Sequence, residues 1–454
     1  MIECDLARTV LAKAKGTSKE FVDLFVENNT TVLCTVLQGE LHTVHRRAEQ
    51  GAALRRINGT RSIHVHTSDL SEKGLEALVS ALHEGSIPVT SRTPAPCSQV
   101  EDPGLEDLVR IAQEAANEVH RISLGNGGDT HLHATVMARA ARQDVLIARS
   151  DNQILSEARY TAHMRVEAVA RRGQKVRNGR RGIGAARVAD LAACNRHIDV
   201  ARQAAEAALL RLDAIDTPVG LMPVILGPGG PAAMLHEICG HALEADIAQH
   251  SGSAYYGALG ERIASPLLTL IDDPRTPAAM PTYGFDDEGE PAQSTVLIKD
   301  GILLTHLYDR CTAMAAGCPS NGHARRLAYA YPPLPRMSTT YVAGSDTPWE
   351  EILAETDRGL FVQSINGGDT DRSGHFNLMV EEGYLIEGGR ITAPIRGAVL
   401  SGHGPTVLRT IDRVGNDCKF FCHGYTCNKL NQFPLPVSLG QPTLRVPELL
   451  IWGG

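Results

Sequence analysis

The 454-residue chain reads as an α+β protein, with an N-terminal α/β domain over residues 1–215 and a mostly β domain over 216–454. Three observations predict this. The length exceeds what one ordinary core fills, which suggests two domains. The first part alternates strand-like runs with helical stretches whose apolar residues recur at three- and four-residue spacing. After Asp216-Thr217-Pro218 the chain changes to many short strands separated by Gly, Pro and Asn, with few helices.

Residues 3–15 have the pattern of an amphipathic helix. Residues 20–28 and 31–37 read as two strands joined by Asn-Asn, and 41–45 and 51–57 as two more. Asn58-Gly59 is a tight-turn signal before a strand at 63–67. Leu75, Leu78, Val79 and Leu82 mark a helix over 71–83. A Pro- and Ser-rich connector over 84–103 leads to a helix at 106–119 that buries Leu108, Ile111, Ala112, Ala115 and Val119. After a loop at 125–129, strands at 132–140, 144–150, 152–160 and 162–171 form a meander, and an Ala-rich helix spans 200–212. In the second part, strands are expected at 295–299, 302–307, 337–342, 360–366, 375–386 and 390–399. Asp300-Gly301 is a hairpin turn, and 349–357 a short helix.

Composition excludes several function classes. A net charge of −8 argues against nucleic acid as a main partner. The basic group Arg171, Arg172, Lys175, Arg177, Arg180 and Arg181 reads as a solvated hairpin. Asp5 and Arg8 interrupt any leader-like apolar run, and no stretch reaches the ~18 apolar residues of a membrane span. A cytoplasmic location is therefore expected, with no membrane partner. The ten cysteines show no framework of spacings, so most are expected to be free.

The chemistry concentrates between Leu226 and Asp246. A short apolar strand, Val224–Leu226, runs into Gly227, Pro228, Gly229 and Gly230. Pro231 suits the first turn of a helix, where its missing N–H costs nothing. The glycines lack the Lys-Ser/Thr pair of a nucleotide loop and read as a sharp strand-to-helix turn. The helix carries His236, Glu237 and His241: two imidazoles for a metal and a carboxylate base for its water. The histidines are five apart, not four. At roughly 100° per residue they diverge by about 140° on a regular α-helix. A one-residue π-bulge near residues 238–241 would bring them together, and Gly240 could tolerate it. Against this stands the possibility that both are ordinary helix-end histidines. A catalytic zinc needs a third protein ligand. Glu244, Asp246, the C-terminal cysteines Cys418, Cys422 and Cys427, and the free histidines are all candidates.

The stretch resembles the catalytic helix of the TldD/PmbA family of zinc-dependent peptidases, whose catalytic members carry HExxxH. Further segments match in order: FDDEG (285–289), GHARR (322–326), PRMSTT (335–340), NGGDTDRSGHF (366–376), EGYLIEGGRI (382–391), RGAVLSGHGPTVL (396–408), VGND (414–417) and LPVSLGQPTL (435–444). The resemblance implies a β-rich C-terminal domain that carries the zinc helix. It implies Zn2+ held by His236, His241 and a cysteine shortly before LPVSLGQPTL, placed at Cys427 with Cys422 as the alternative. Glu237 is the implied base, and Cys418 reads as structural. A peptide or peptide-like amide is the implied substrate, and the implied partner is a second copy or a motif-lacking relative. The alternatives are a specialised amidase or N-deacetylase of a natural-product pathway, and a non-catalytic scaffold.

An extended substrate could pair with an exposed strand, which gives affinity without sequence preference. Gly367, Gly368 and Asp369 would allow close backbone approach, and Arg336 could hold a carboxylate bidentately. Asp286, Asp287 and Glu288 read as turn chemistry and surface ion pairing. His306, His323, His375, His403 and His423 read as structural histidines, with His375 and His423 the ones to test.

Overall fold

One antiparallel sheet organises the first part of the chain. Its strands are β1 (Phe21–Leu37), β2 (Glu40–Asn58), β3 (Arg61–Thr67), β4 (Thr130–Arg149), β5 (Ile154–Arg172) and β6 (Lys175–Ala185), in the order β3-β2-β1-β4-β5-β6. The computed structural model describes residues 2–17, 20–85, 102–125, 128–277, 279–422 and 424–453. The 84–103 connector lies largely outside them.

Four expected breaks are absent. Residues 21–37 and 40–58 each form one strand, and the four-strand meander is two long strands. The reason is position. β1 is central, so Asn28 faces Gln50 on one side and Asp144 on the other, and Asn29 faces Glu49 and Gln143. A ladder filled on both sides carries the backbone through polar residues that resemble a turn in isolation.

Period-2 alternation assigns the faces of this sheet. Leu24 and Val26 meet the helices Cys4–Ala14 and Glu72–Glu84. Further along, Val136, Ala138, Met164 and Val166 meet the helices Leu105–Gly125 and Arg196–Arg211. Gly179 of β6 lies so close to the second of these that a Cβ would overlap the carbonyl of Ala204. On the opposite face, Phe25, Val145 and Ile147 pack against Phe285 and Tyr329 from the second part.

The α+β class holds, and the second part is β-rich. Its larger sheet has eight strands in the order Arg358–Thr370, Gly220–Leu226, Leu444–Gly453, Ala398–His403, His375–Glu387, Arg390–Arg396 and Ile215–Asp216, with Arg413–Val414 attached to Leu444–Gly453. A six-stranded sheet includes Thr295–Lys299, Leu270–Asp272, Thr339–Val342 and Ser438–Gln441. Asp300 and Gly301 both have positive φ, as the expected hairpin turn requires. No described helix is long and apolar enough to cross a membrane.

The acidic trio is not on the surface. Asp286, Asp287 and Glu288 are all buried between the two parts. Asp286 does the expected turn chemistry, accepting from the N–H groups of Glu288 and Glu290. Glu288 pairs with Arg55, which also holds Asp23, and Asp287 pairs with Arg159 at 2.6 Å. The basic hairpin is also only partly solvated, since Arg181 pairs with Glu382 at 2.7 Å and Arg180 with Glu167 at 3.0 Å.

Candidate metal centre

The metal helix begins where a central strand ends. Gly220–Leu226 lies between Arg358–Thr370 and Leu444–Gly453, so its exit is fixed on both sides. The Gly227 N–H donates to the Val362 carbonyl at 2.9 Å, and Gln441 donates to the Gly227 carbonyl at 2.9 Å. Gly229, at φ 87°, turns the chain into a 3-10 turn, Gly230–Ala232. An α-turn (Ala233–Leu235), a π-turn (His236–Gly240) and a 3-10 turn (His241–Leu243) follow.

The π-turn supplies the widening that the five-residue spacing demands. The His241 N–H bonds to the His236 carbonyl, and the two rings lie 4.8 Å apart at 76°. Gly240 serves it differently from expectation. Its φ of −53° is ordinary helix, but a Cβ there would overlap the sulfur of Met337. The glycine is needed for passage, not for an unusual backbone angle.

Cys427 comes from the strand Thr426–Lys429 and is 2% exposed. Its Sγ lies 3.2 Å from His241 Nε2, and one ligand atom each of His236, His241 and Cys427 falls within 4.8 Å of the others. Among the described residues this is the one such group. Cys422 is not part of it; its backbone carbonyl packs where a side chain on Gly184 would fall. Glu244 is not a ligand either. It is fully buried, and one carboxylate oxygen accepts from His241 Nδ1 at 3.0 Å and from Lys429 Nζ at 2.9 Å. Lys429 also reaches Asp246 at 2.6 Å. This arrangement holds His241 with Nε2 toward the metal position.

Two features fit a bound cation. His236 is 1% exposed, yet neither ring nitrogen has a hydrogen-bond partner. A buried imidazole without partners is costly unless a metal takes its lone pair. Burial pushes the Cys427 thiol up, but the neighbouring His241 and His236 bring it down to about 5. Burial likewise opposes charge on His241, but Glu244 and Cys427 raise its pKa well above the usual imidazole value. A nitrogen, nitrogen and thiolate set is a zinc-type donor set with a fourth position left for water.

Glu237 is half-buried and accepts from the Tyr425 hydroxyl at 3.1 Å. Tyr425 and Lys429 were missed in the sequence. The available signal was alternation: residues 425, 427 and 429 share one face of an extended segment. Arg336 lies in the interior, fully buried, and none of its three guanidinium nitrogens has a hydrogen-bond partner among the described residues; its charge acts on Glu244, whose carboxyl burial pushes up and Lys429, His241 and Arg336 together bring down. Gly367, Gly368 and Asp369 are exposed on the strand Arg358–Thr370. His306 and His323 are buried, the latter bonded to Thr295 at 2.9 Å. His375 and His403 pair with each other at 5.0 Å, and His423 lies outside the described residues. Cys418 lies half-buried beside the Val342 carbonyl.

Residues 219–453 match the family model described as the PmbA/TldA metallopeptidase C-terminal domain, 22–86 its domain 1 and 98–212 its central domain. A Haemophilus influenzae protein named as a homolog of the metalloprotease TldD is 33% identical over 362 residues, covering 78% of this chain and 73% of that protein. A Methanothermobacter thermautotrophicus protein named as a metalloprotease is 28% identical over 449 residues, 96% of each. The crystal structure of TldE from Thermococcus kodakarensis superposes with a TM-score of 0.79 across 99% of both chains at 17% identity, a likeness of fold. With its sequence matched along most of its length and its two histidines and cysteine drawn together, the chain belongs to the PmbA/TldD metallopeptidase family.

Proposed function

We propose that this chain is a zinc-dependent hydrolase of peptide bonds, acting on unfolded peptides or small peptide-like amides. The observation that carries the reading is the convergence of His236, His241 and Cys427 beside the carboxylate of Glu237. Zinc held by these three side chains would acidify water toward neutral pH and polarise a carbonyl. Glu237 takes the proton from the attacking water and hands it to the leaving amine. Glu244, backed by Lys429, keeps His241 in the ligating tautomer.

The substrate lies extended. Gly367, Gly368 and Asp369 sit beyond Leu360–Val362, the portion of their strand that pairs with Gly220–Leu226, so one backbone edge is open there. Backbone pairing along it binds peptide without regard to sequence. The reading extends to a pair of chains, a second copy or a motif-lacking relative. Leu41 and Val44, both exposed on one face of β2, support such an interface.

Glu237→Gln tests the chemistry. It lowers turnover of an unfolded peptide by at least about 100-fold, the scale of a lost general base, while elemental analysis finds the metal content unchanged. Hydrolysis retained in that variant would remove Glu237 from the mechanism.

A further inference from the structure

The two imidazoles are held by different means. His241 has the usual support of a ligating histidine, a carboxylate on its second nitrogen. His236 has none, and both its ring nitrogens lack hydrogen-bond partners. Its orientation comes from packing: the His241 ring lies 4.8 Å away, and the other ring set against it is Tyr425, 5.3 Å away at 77°. Tyr425 is backed on another side by Phe421, at 6.3 Å and 74°, and its carbonyl accepts the N–H of Val437 at 3.1 Å. Gly424, at φ 81°, turns the chain into this position, and a Cβ there would press on the ring of His163 from β5. Tyr425 is thus fixed by both parts of the molecule. Its hydroxyl donates to Glu237 Oε1 at 3.1 Å, which leaves Oε2 as the oxygen free to meet water.

We propose that Tyr425 is a positioning residue with two separable duties: its ring orients the ligand His236, and its hydroxyl orients the base Glu237. The hydroxyl duty rests on the peptidase reading above. The ring duty does not, because it concerns metal binding alone. Packing against the Tyr425 ring supplies the orientation that a hydrogen-bond acceptor on the second nitrogen of His236 would otherwise give. An anchored phenol holds a carboxylate that water would otherwise hold in many orientations.

Three variants separate the duties. Tyr425→Phe keeps the ring and loses the hydroxyl; Tyr425→Leu and Tyr425→Met keep apolar bulk and lose the ring. Zinc affinity is read by competition with a chromophoric chelator, and kcat and KM on an unfolded peptide. Tyr425→Phe should bind zinc within about 3-fold of the parent and lose kcat about 10- to 100-fold with KM little changed. The Leu and Met variants, shown folded by circular dichroism, should weaken zinc binding by about 10-fold or more. Parent-like kcat in Tyr425→Phe overturns the hydroxyl duty. Parent-like zinc affinity in a folded Leu or Met variant overturns the ring duty, as does equal loss of zinc in Tyr425→Phe. If the zinc-loaded parent hydrolyses no peptide, the peptidase reading fails while the chelator titration still judges the ring.

Discussion

Glu244 shows how much of a metal centre lies behind its ligands. It is wholly buried, yet burial's penalty is overcome by Lys429 and His241, which hold its carboxyl well below the usual range. Its Oε1 also accepts the Met337 N–H at 3.3 Å, so both oxygens are used. Replacing Glu244 with Gln removes the charge that Lys429 and His241 share. Zinc affinity should fall about 10- to 100-fold, measured by chelator competition. Asp246→Asn, which touches Lys429 but not His241, should cost clearly less. Equal losses would mean that Lys429, not His241, is what Glu244 serves. The residue types of the ligands and the base were visible in the sequence, because His, Cys and Glu announce their chemistry. Lys429 and Tyr425 were not, because a lysine or tyrosine near a C-terminus has many ordinary uses until its neighbours are known.

At the scale of elements, the π-turn is the feature the sequence disclosed best. Two ligands five residues apart cannot share an ion on a regular helix, so the spacing itself demanded a wider turn. The role of Gly240 was not disclosed. Met337, far along the chain, runs where a Cβ would be. Gly240→Ala should therefore destabilise the protein by about 1–3 kcal/mol, the usual cost of overpacking, read by urea denaturation. Paired with Met337→Ala, its loss should be smaller than the sum of the two single losses. Strict additivity would show that the overlap is not the cause. The merged strands of the first sheet teach the converse. Asn28 and Asn29 resemble a turn by composition and lie mid-strand, because β2 and β4 supply partners on both sides.

At the scale of the molecule, ions that read as surface features join the two parts of the chain. Arg55 of β2 meets Glu288, Arg159 of β5 meets Asp287, and Glu27 of β1 accepts the Tyr329 N–H at 2.7 Å. Glu27 has a consequence for pH. Burial raises its pKa from 4.5 to about 7, against the opposing bonds from Tyr329 and Gln143. Below pH 4.5 the carboxyl is protonated folded or unfolded and costs nothing. As pH rises toward 7 the unfolded chain releases its proton and the folded chain does not, so stability falls, by up to about 3 kcal/mol. Glu27→Gln should remove this slope and gain stability at pH 8 relative to the parent, measured by urea denaturation from pH 5 to pH 8. A parent whose stability rises across that range would contradict the assignment.

The order of residues alone carried the α+β class, the widened turn and the metal-binding residue types, because periodicity and ligand spacing are local properties of the chain. It placed the thiol at Cys427 but left Cys422 as an alternative, and it did not tell that Arg336 and the acidic trio are interior. Those outcomes depend on which distant strands become neighbours, and a side chain's role changes with the dielectric and the partners it meets there. Folding joined a C-terminal strand to a helix nearly two hundred residues earlier, and with that contact a set of ordinary side chains became a metal centre.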